Sequence, residues 1–121
     1  MAGTPNVAPA EGASDACLTG DAALARAFDF LGKRWNAVIL GILGRGPAGF
    51  RELSRAIGRI SDSVLSDRLA ELARAGLIER TVDEGPPVSV SYAMTDCGMA
   101  LLPALEQIAL WAEENLAPAD A

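Results

Sequence analysis

The stretch ISDSVLSDRLAELARAGLIER, residues 60–80, decides the fold that the sequence predicts. Leu65, Leu69 and Leu72 recur at helical spacing and predict one buried face. Ser61 is a good N-cap for this helix, which we expect to reach Ala75. The opposite face is unusual, because it carries serine and aspartate where a solvated helix usually carries lysine and glutamate.

A shorter helix precedes this one. The spacing of Phe50, Leu53 and Ile57 predicts a helix over residues 50–57 with these side chains inward. Gly58 can end it, and the turn spans residues 58–60. Two helices joined by a short turn containing glycine form the helix-turn-helix pattern, although many helical hairpins share this spacing.

A predicted β-hairpin follows directly. Residues 77–82 form one strand, and apolar residues at alternate positions from 88 to 94 predict the other, with a Gly/Pro loop between them. A hairpin in this position is a wing. Thr95 can cap a last helix with an apolar stripe, and Pro103 should bend or restart that helix.

Two further helices are predicted upstream. Asp21 can cap the first, which Gly32 ends, and the second spans residues 33–43. The inward residues of the second are Trp35, Val38, Ile39 and Ile42. The predicted fold is therefore mainly α with a small β-hairpin wing, a winged helix-turn-helix of four helices, two strands and a fifth helix. We assign residues 1–16 to a disordered N-terminal tail, 17–116 to the folded domain and 117–121 to a C-terminal tail.

Composition narrows the function. The 121 residues include no histidine, which removes Ser-His-Asp and Cys-His nucleophilic sites and the commonest zinc ligand sets. Two cysteines are too few for a disulfide scaffold or a closed structural zinc site. No cofactor is indicated. No apolar run reaches membrane-spanning length and no secretory signal is present, so we expect a cytoplasmic protein without a membrane partner.

The charge is distributed unevenly. The net charge is −6, but all ten basic residues lie between Arg26 and Arg80. That segment holds six acidic residues, a balance of +4, and the remaining ten acidic residues lie outside it. This asymmetry indicates a local basic surface on an acidic protein, or else chance segregation of solvated charges.

Four segments resemble the HxlR family of bacterial transcription regulators, within the MarR-like winged-helix superfamily. They are GKRWNAVIL (32–40), FREL (50–53), residues 60–80 as quoted, and PPVSVSYAMTDCGMALLP (86–103). The resemblance covers residues 17–116 in the family's order and spacing. It implies a homodimer on double-stranded DNA at an inverted-repeat operator, with the first and last helices building the dimer interface. The family commonly has glutamine or lysine where this chain has Asp62 and Ser63, and glutamine at Asp67.

Candidate DNA-binding residues follow from the helix-turn-helix. The N-terminal part of the second helix meets base edges in the major groove, and basic residues beside it hold phosphates. The candidates are Arg51, Arg55, Arg59, Ser61, Ser63, Ser66, Asp67 and Arg80. Ser61 can equally be only a cap, and Ser63 and Ser66 only solvent-exposed. Arg68 is better explained by an ion pair with Glu71 or Glu52, and Ser89 and Ser91 are weaker candidates.

Other candidates concern assembly and regulation. Dimerisation through the acidic ends of the chain requires apolar burial, and the candidates are Phe28, Leu31, Leu105, Ile108 and Trp111, although each can instead serve the protomer's own core. Some HxlR-type proteins sense oxidants, quinones or aldehydes through cysteine, which makes Cys17 and Cys97 redox candidates and a small-molecule effector a candidate partner. For Cys97 a small buried filler is the favoured alternative. The competing functions are a winged-helix protein-interaction module and, with no catalytic constellation to support it, an enzyme.

Overall fold

The computed structural model describes the backbone of residues 10–118 and the side chains of residues 21–118. The elements are helices α1 (Ala10–Leu31) and α2 (Asn36–Leu43), strand β1 (Ala48–Gly49), helices α3 (Phe50–Ile57) and α4 (Asp62–Arg74), strands β2 (Ile78–Asp83) and β3 (Ser89–Met94), and helix α5 (Asp96–Asn115). This order confirms the winged helix-turn-helix. Within the described residues, no helix combines the length and apolarity that crossing a membrane requires.

Helix α1 belongs to a unit of its own, which ends at Lys33. Its end before Gly32 was predicted, and the Gly32 N–H donates to the Phe28 carbonyl at 3.0 Å. Its start at Ala10 was not, so the cap at Asp21 is wrong and residues 10–16 of the predicted disordered tail are helical. No proline lies between Pro9 and Asp21, and the alanines in this segment favour helix, so the helix can start well before Asp21. Residues 1–9 and 119–121 lie outside the described residues.

The helix-turn-helix forms where it was predicted. Helix α3 spans residues 50–57, and Gly58 ends it with φ +85°, a left-handed conformation that a side chain would disfavour. Ser61 caps α4, since its hydroxyl accepts a hydrogen bond from the Val64 N–H at 3.2 Å. Helix α4 ends at Arg74, with Ala75 as its C-cap.

The core lies between α2, α3, α4 and the start of β2. Its fully buried side chains are Ile39, Leu40, Leu43, Leu53, Leu65, Leu69, Leu72 and Ile78, together with Asn36. The predicted inward face of α2 is correct at Ile39 but wrong at Val38, which is 43% exposed. Trp35 and Ile42 are only half-buried. Because nearly all of NAVILGIL is apolar, its pattern cannot choose a face, and packing against α3 and α5 chooses it instead.

The sheet has three antiparallel strands in the order β1-β3-β2. Strands β2 and β3 form the predicted hairpin, with Arg80 opposite Tyr92 and Val82 opposite Val90. Strand β1 was missed because it has two residues, and its pairing of Ala48 with Tyr92 exists only once β3 is in place. Val88, predicted within the strand, precedes it and is 68% exposed.

Thr95 fastens α5 to the end of the helix-turn-helix. Its hydroxyl accepts from the Gly98 N–H at 3.1 Å, as the predicted cap requires, and donates to the Gly76 carbonyl at 2.6 Å. A Cβ atom added at Gly98 would collide with the Leu77 carbonyl oxygen, so only glycine allows this close approach. Pro103 lies inside a single helix from Asp96 to Asn115, so the helix does not restart there.

Candidate nucleic-acid interface

Helix α4 divides into a buried and an exposed face, as the leucine spacing predicted. Leu65, Leu69 and Leu72 are at most 1% exposed. Ser63, before the first of these leucines, and Ser66 and Asp67, between the first two, are exposed to solvent. The polar N-terminal half of α4 is therefore free to meet a partner, with short side chains that allow the close approach of another backbone.

Ser61 has a structural role that does not depend on any partner. Its hydroxyl oxygen accepts from the Val64 N–H, which satisfies one of the unpaired amides at the start of α4. The side chain is exposed, and its O–H can still donate to an incoming phosphate. The cap is thus observed, and a phosphate contact is compatible with it.

Three of the residues predicted to contact phosphate are exposed arginines. Arg55 lies on α3, Arg59 in the turn and Arg80 on β2, and all three side chains are exposed. Among the described residues, none of them forms an ion pair with an acidic side chain. Their charges are therefore available to a phosphate backbone.

Arg51 is held differently. Its Nη2 lies 3.1 Å from Oδ2 of Asp62, and its Nη1 donates to Oδ1 of the same carboxylate at 3.3 Å. The guanidinium also lies 5.5 Å from the centre of the Phe50 ring. The ion pair joins the first turn of α3 to the first residue of α4. Sequence reasoning missed it, because periodicity within one helix does not show which side chains meet across a turn.

Arg68 forms the predicted intrahelical ion pair. Its Nη1 lies 2.6 Å from Oε1 of Glu71, and both side chains are 20% exposed. Glu52, the other proposed partner, instead accepts from the Gly49 N–H at 2.8 Å and closes the start of α3. The structural interpretation of Arg68 is therefore confirmed, with Glu71 as its partner.

The wing carries opposite charges at its two ends. Arg80 lies in the first half of β2, whereas Asp83 and Glu84 lie at the turn and are exposed. Asp83 closes the turn by accepting from the Gly85 N–H at 3.1 Å. Ser89 is exposed and Ser91 is half-buried. Attraction to phosphate is therefore expected at the base of the wing rather than at its acidic turn.

The side chains predicted to form the dimer interface are only partly buried within the protomer. On α5, Ile108 is 46% and Trp111 is 55% exposed, and Leu105 is half-buried. On α1, Phe28 is 48% exposed and Leu31 is half-buried. The alternative of full burial in the protomer's own core does not apply to Phe28, Ile108 or Trp111.

A groove of about 490 Å³ lies between α2 and α5. Apolar side chains of Val38, Leu105 and Ile108 line it, and Arg45 and Glu106 supply its charges. Two of these residues, Leu105 and Ile108, are also dimer candidates.

The two cysteines lie far apart in the chain, at positions 17 and 97. The side chain of Cys17 lies outside the described residues. Cys97, near the start of α5, is an exposed free thiol, so the favoured interpretation as a small buried filler is wrong. The capping role of Thr95 places Cys97 in the first turn, where its side chain projects from the surface. Within the described residues, no group of three or more potential metal ligands is assembled.

Residues 30–120 match the model of the HxlR-like helix-turn-helix family. The chain belongs to this family. It is 39% identical over 94 residues to the HTH-type transcriptional regulator YodB of Bacillus subtilis (strain 168), a match that covers 78% of this chain and 84% of YodB.

Solved structures of HxlR-like and related regulators share the fold. The reduced form of YodB from B. subtilis superposes with a TM-score of 0.72 at 38% identity, over 81% of this chain and 96% of that one. The redox regulator HypR in its oxidized form gives a TM-score of 0.74 at 27% identity, over 79% and 99% of the two chains. The HxlR-like protein described here is a helix-turn-helix transcription regulator that binds DNA, and it is not an enzyme.

Proposed function

We propose that this HxlR-like regulator acts as a homodimer that places one α4 helix of each protomer in the major groove of an inverted-repeat operator. The observation that carries the proposal is the exposed polar half of α4 beside exposed arginines of α3, the turn and β2. In a helix-turn-helix, this part of the second helix meets base edges. The cytoplasm, where a bacterial chromosome lies, is the proposed place of action.

The exposed residues divide into two roles. Ser63 and Ser66 offer hydroxyls that can donate to or accept from base edges, and Asp67 can accept from the N4 amino group of cytosine. Arg55, Arg59 and Arg80 hold phosphates and set the position of the protein on the duplex, with Ser61 adding a donor at the start of α4. Arg51 lies among the arginines proposed to contact phosphates, but its guanidinium forms an ion pair with Asp62.

The two roles are separable by mutation. Arg55→Ala should weaken binding to all duplexes alike and reduce the slope of log K against log[salt] by about 0.9. Ser63→Ala should change sequence preference in a selection from a random DNA library. Arg45→Ala, which removes an equal charge at the α2–α5 groove, is the matched control for Arg55. A changed preference in Arg55→Ala together with an unchanged one in Ser63→Ala would invert the assignment.

Homodimerisation is supported by the apolar side chains that one protomer leaves exposed. Phe28, Ile108 and Trp111 are each about half exposed, and large exposed apolar groups mark interaction surfaces. A two-fold dimer matches an inverted repeat, because each half-site then meets an identical helix. Sedimentation velocity over a range of protein concentrations tests this, and a monomer bound to operator DNA would exclude it.

A thiol-based response is the second proposed property. YodB has been solved in a reduced form, and HypR is a redox regulator solved in an oxidized form. Cys97 is exposed and therefore accessible to an oxidant or electrophile, and Cys17 is the other candidate. DNA affinity with and without a thiol oxidant, in wild type and in the Cys17→Ser and Cys97→Ser variants, assigns the response. If a variant responds to the oxidant as wild type does, the cysteine that it lacks plays no part in the response.

The α2–α5 groove is the proposed site for a small-molecule effector, if the response is to a ligand rather than to thiol chemistry. Its apolar lining fits an apolar compound, and Arg45 can pair with an acidic group. Replacement of the exposed Val38 by Trp should fill the groove and abolish the ligand response, while DNA binding without ligand persists.

A further inference from the structure

Asp62, the first residue of α4, forms an ion pair with Arg51, one of the arginines that the sequence predicts to contact phosphate. Its carboxylate meets Arg51 through both oxygens, at 3.1 and 3.3 Å, from a position eleven residues further along the chain. Such a forked arrangement fixes the plane of the guanidinium as well as its distance. The carboxylate therefore lies against one edge of the guanidinium, the Nη1 and Nη2 edge, and a phosphate must compete with it there.

The pair is exposed rather than buried. The Arg51 side chain is 68% and the Asp62 side chain 58% exposed. Exposed pairs are weak, typically worth about 0.2–1 kcal/mol, so the pair does little for folding. It does matter for binding, because an incoming phosphate must compete with a carboxylate that is already in place and carries the same sign of charge.

The other exposed arginines meet no such competitor. Arg55, Arg59 and Arg80 have no ion-pair partner among the described residues, so Arg51 is singled out. Asp67, also exposed on α4, has no cationic partner there either. The two aspartates thus differ in one respect: Asp67 adds negative charge to the surface, whereas Asp62 adds the same charge and also engages a specific arginine.

We propose that Asp62 is a positioning residue that withholds Arg51 from the DNA backbone and so lowers the sequence-independent affinity of this regulator. The inference rests on the proposed function, since it requires the α3–α4 surface to face DNA. It means that binding depends more on the base-facing residues of α4 than the number of arginines suggests, because one phosphate contact is suppressed within the protein.

The experiment compares Asp62→Asn with Asp67→Asn on a mixed-sequence duplex that contains no operator. This choice of DNA keeps any base contact of Asp67 out of the comparison. Both variants remove one negative charge from α4, so both should bind more tightly than wild type. Asp62→Asn should bind about 1.4- to fivefold more tightly than Asp67→Asn, which is the strength of an exposed ion pair expressed as an affinity ratio.

The salt dependence identifies the mechanism. If Arg51 gains a phosphate, the slope of log K against log[salt] should steepen by about 0.9 in Asp62→Asn relative to Asp67→Asn. In an Arg51→Ala background, the two aspartate variants should become indistinguishable. If Asp62 only stabilised α4, Asp62→Asn would leave the salt slope unchanged, and the Arg51→Ala background would make no difference to the comparison.

Three results would overturn the inference: equal affinities of the two variants, equal salt slopes, or a difference that persists without Arg51. Each of these three results can be obtained only if the wild-type protein binds duplex DNA. Failure of the inference is therefore distinguishable from failure of the proposed function. If neither wild type nor any variant binds duplex DNA, the proposed function fails, and this inference fails with it.

Discussion

The helix-turn-helix and the last helix differ in how far their apolar side chains are buried. In α3 and α4, Leu53, Leu65, Leu69 and Leu72 are buried to within 1% of complete. In α5, Leu110 is 50% and Trp111 is 55% exposed. Both regions have helical apolar spacing, but only in the first are these side chains fully buried within the protomer.

This difference separates two tasks. The helix-turn-helix must present its polar face in a fixed geometry, which a complete core provides. The last helix retains apolar surface whose burial can stabilise an assembly. The region proposed to meet DNA should therefore be sensitive to core mutations, and α5 should be sensitive to mutations that alter association.

The largest effect is expected in the core of the helix-turn-helix. Leu65→Ala should reduce the free energy of unfolding by about 2–5 kcal/mol, because Leu65 is fully buried and truncation leaves a cavity. Val64→Ala, one residue away but 38% exposed, should change it by less than about 0.5 kcal/mol. Urea unfolding of both variants measures this, and similar losses would show that the two faces of α4 are not distinct.

The next effect concerns α5. Trp111→Ala should raise the dimer dissociation constant by about 30-fold or more, as expected for an aromatic residue at the centre of an interface. Met99→Ala is the matched control, since Met99 is 47% exposed on the same helix but outside the proposed interface. Analytical ultracentrifugation reports the association, and equal shifts in both variants would place the interface elsewhere.

A smaller effect is expected where α5 meets the end of the helix-turn-helix. Gly98→Ala should lower the free energy of unfolding by about 1–3 kcal/mol, because the added methyl group meets the Leu77 carbonyl. Gly41→Ala meets nothing within 4 Å and lies inside α2, so it should stabilise by up to about 1 kcal/mol. Thermal unfolding of the two alanine variants should therefore shift in opposite directions, and a shift in the same direction would contradict the close approach at Gly98.

The smallest effect tests the exposed side of α4. Ser61→Ala should cost about 1 kcal/mol of stability, because it removes the hydroxyl that caps the helix. Ser63→Ala should stay within about 0.5 kcal/mol of wild type, since Ser63 is exposed beyond the cap. A comparable loss in both would mean that Ser63 has a structural role in addition to any role with DNA.

Local signals account for the elements that sequence reasoning placed correctly. The end of α3 follows from Gly58, and the start of α4 follows from Ser61, because each acts on the backbone within a few residues of itself. The buried leucines of α4 follow from their spacing, since only one face of that helix is apolar. The same reasoning identified the Arg68–Glu71 pair, which lies within one turn of one helix.

Elements that depend on distant partners were missed or misplaced. Val38 was assigned inward because α2 is apolar on every side, and its buried face depends on α3 and α5. Strand β1 exists only through its pairing with β3. The ion pair between Arg51 and Asp62, which joins the two helices across the turn, changes the role expected of Arg51 from a free cation to an engaged one.

The amino-acid sequence by itself therefore determined the winged helix-turn-helix, the two faces of α4 and the family, because caps, glycines and apolar spacing act over a few residues. The tertiary structure alone decided which face of α2 is buried, which apolar side chains of α5 stay exposed, and which of the arginines near α4 is engaged by an aspartate. Those outcomes depend on distances between side chains far apart in the chain, and such distances exist only after the helices have packed.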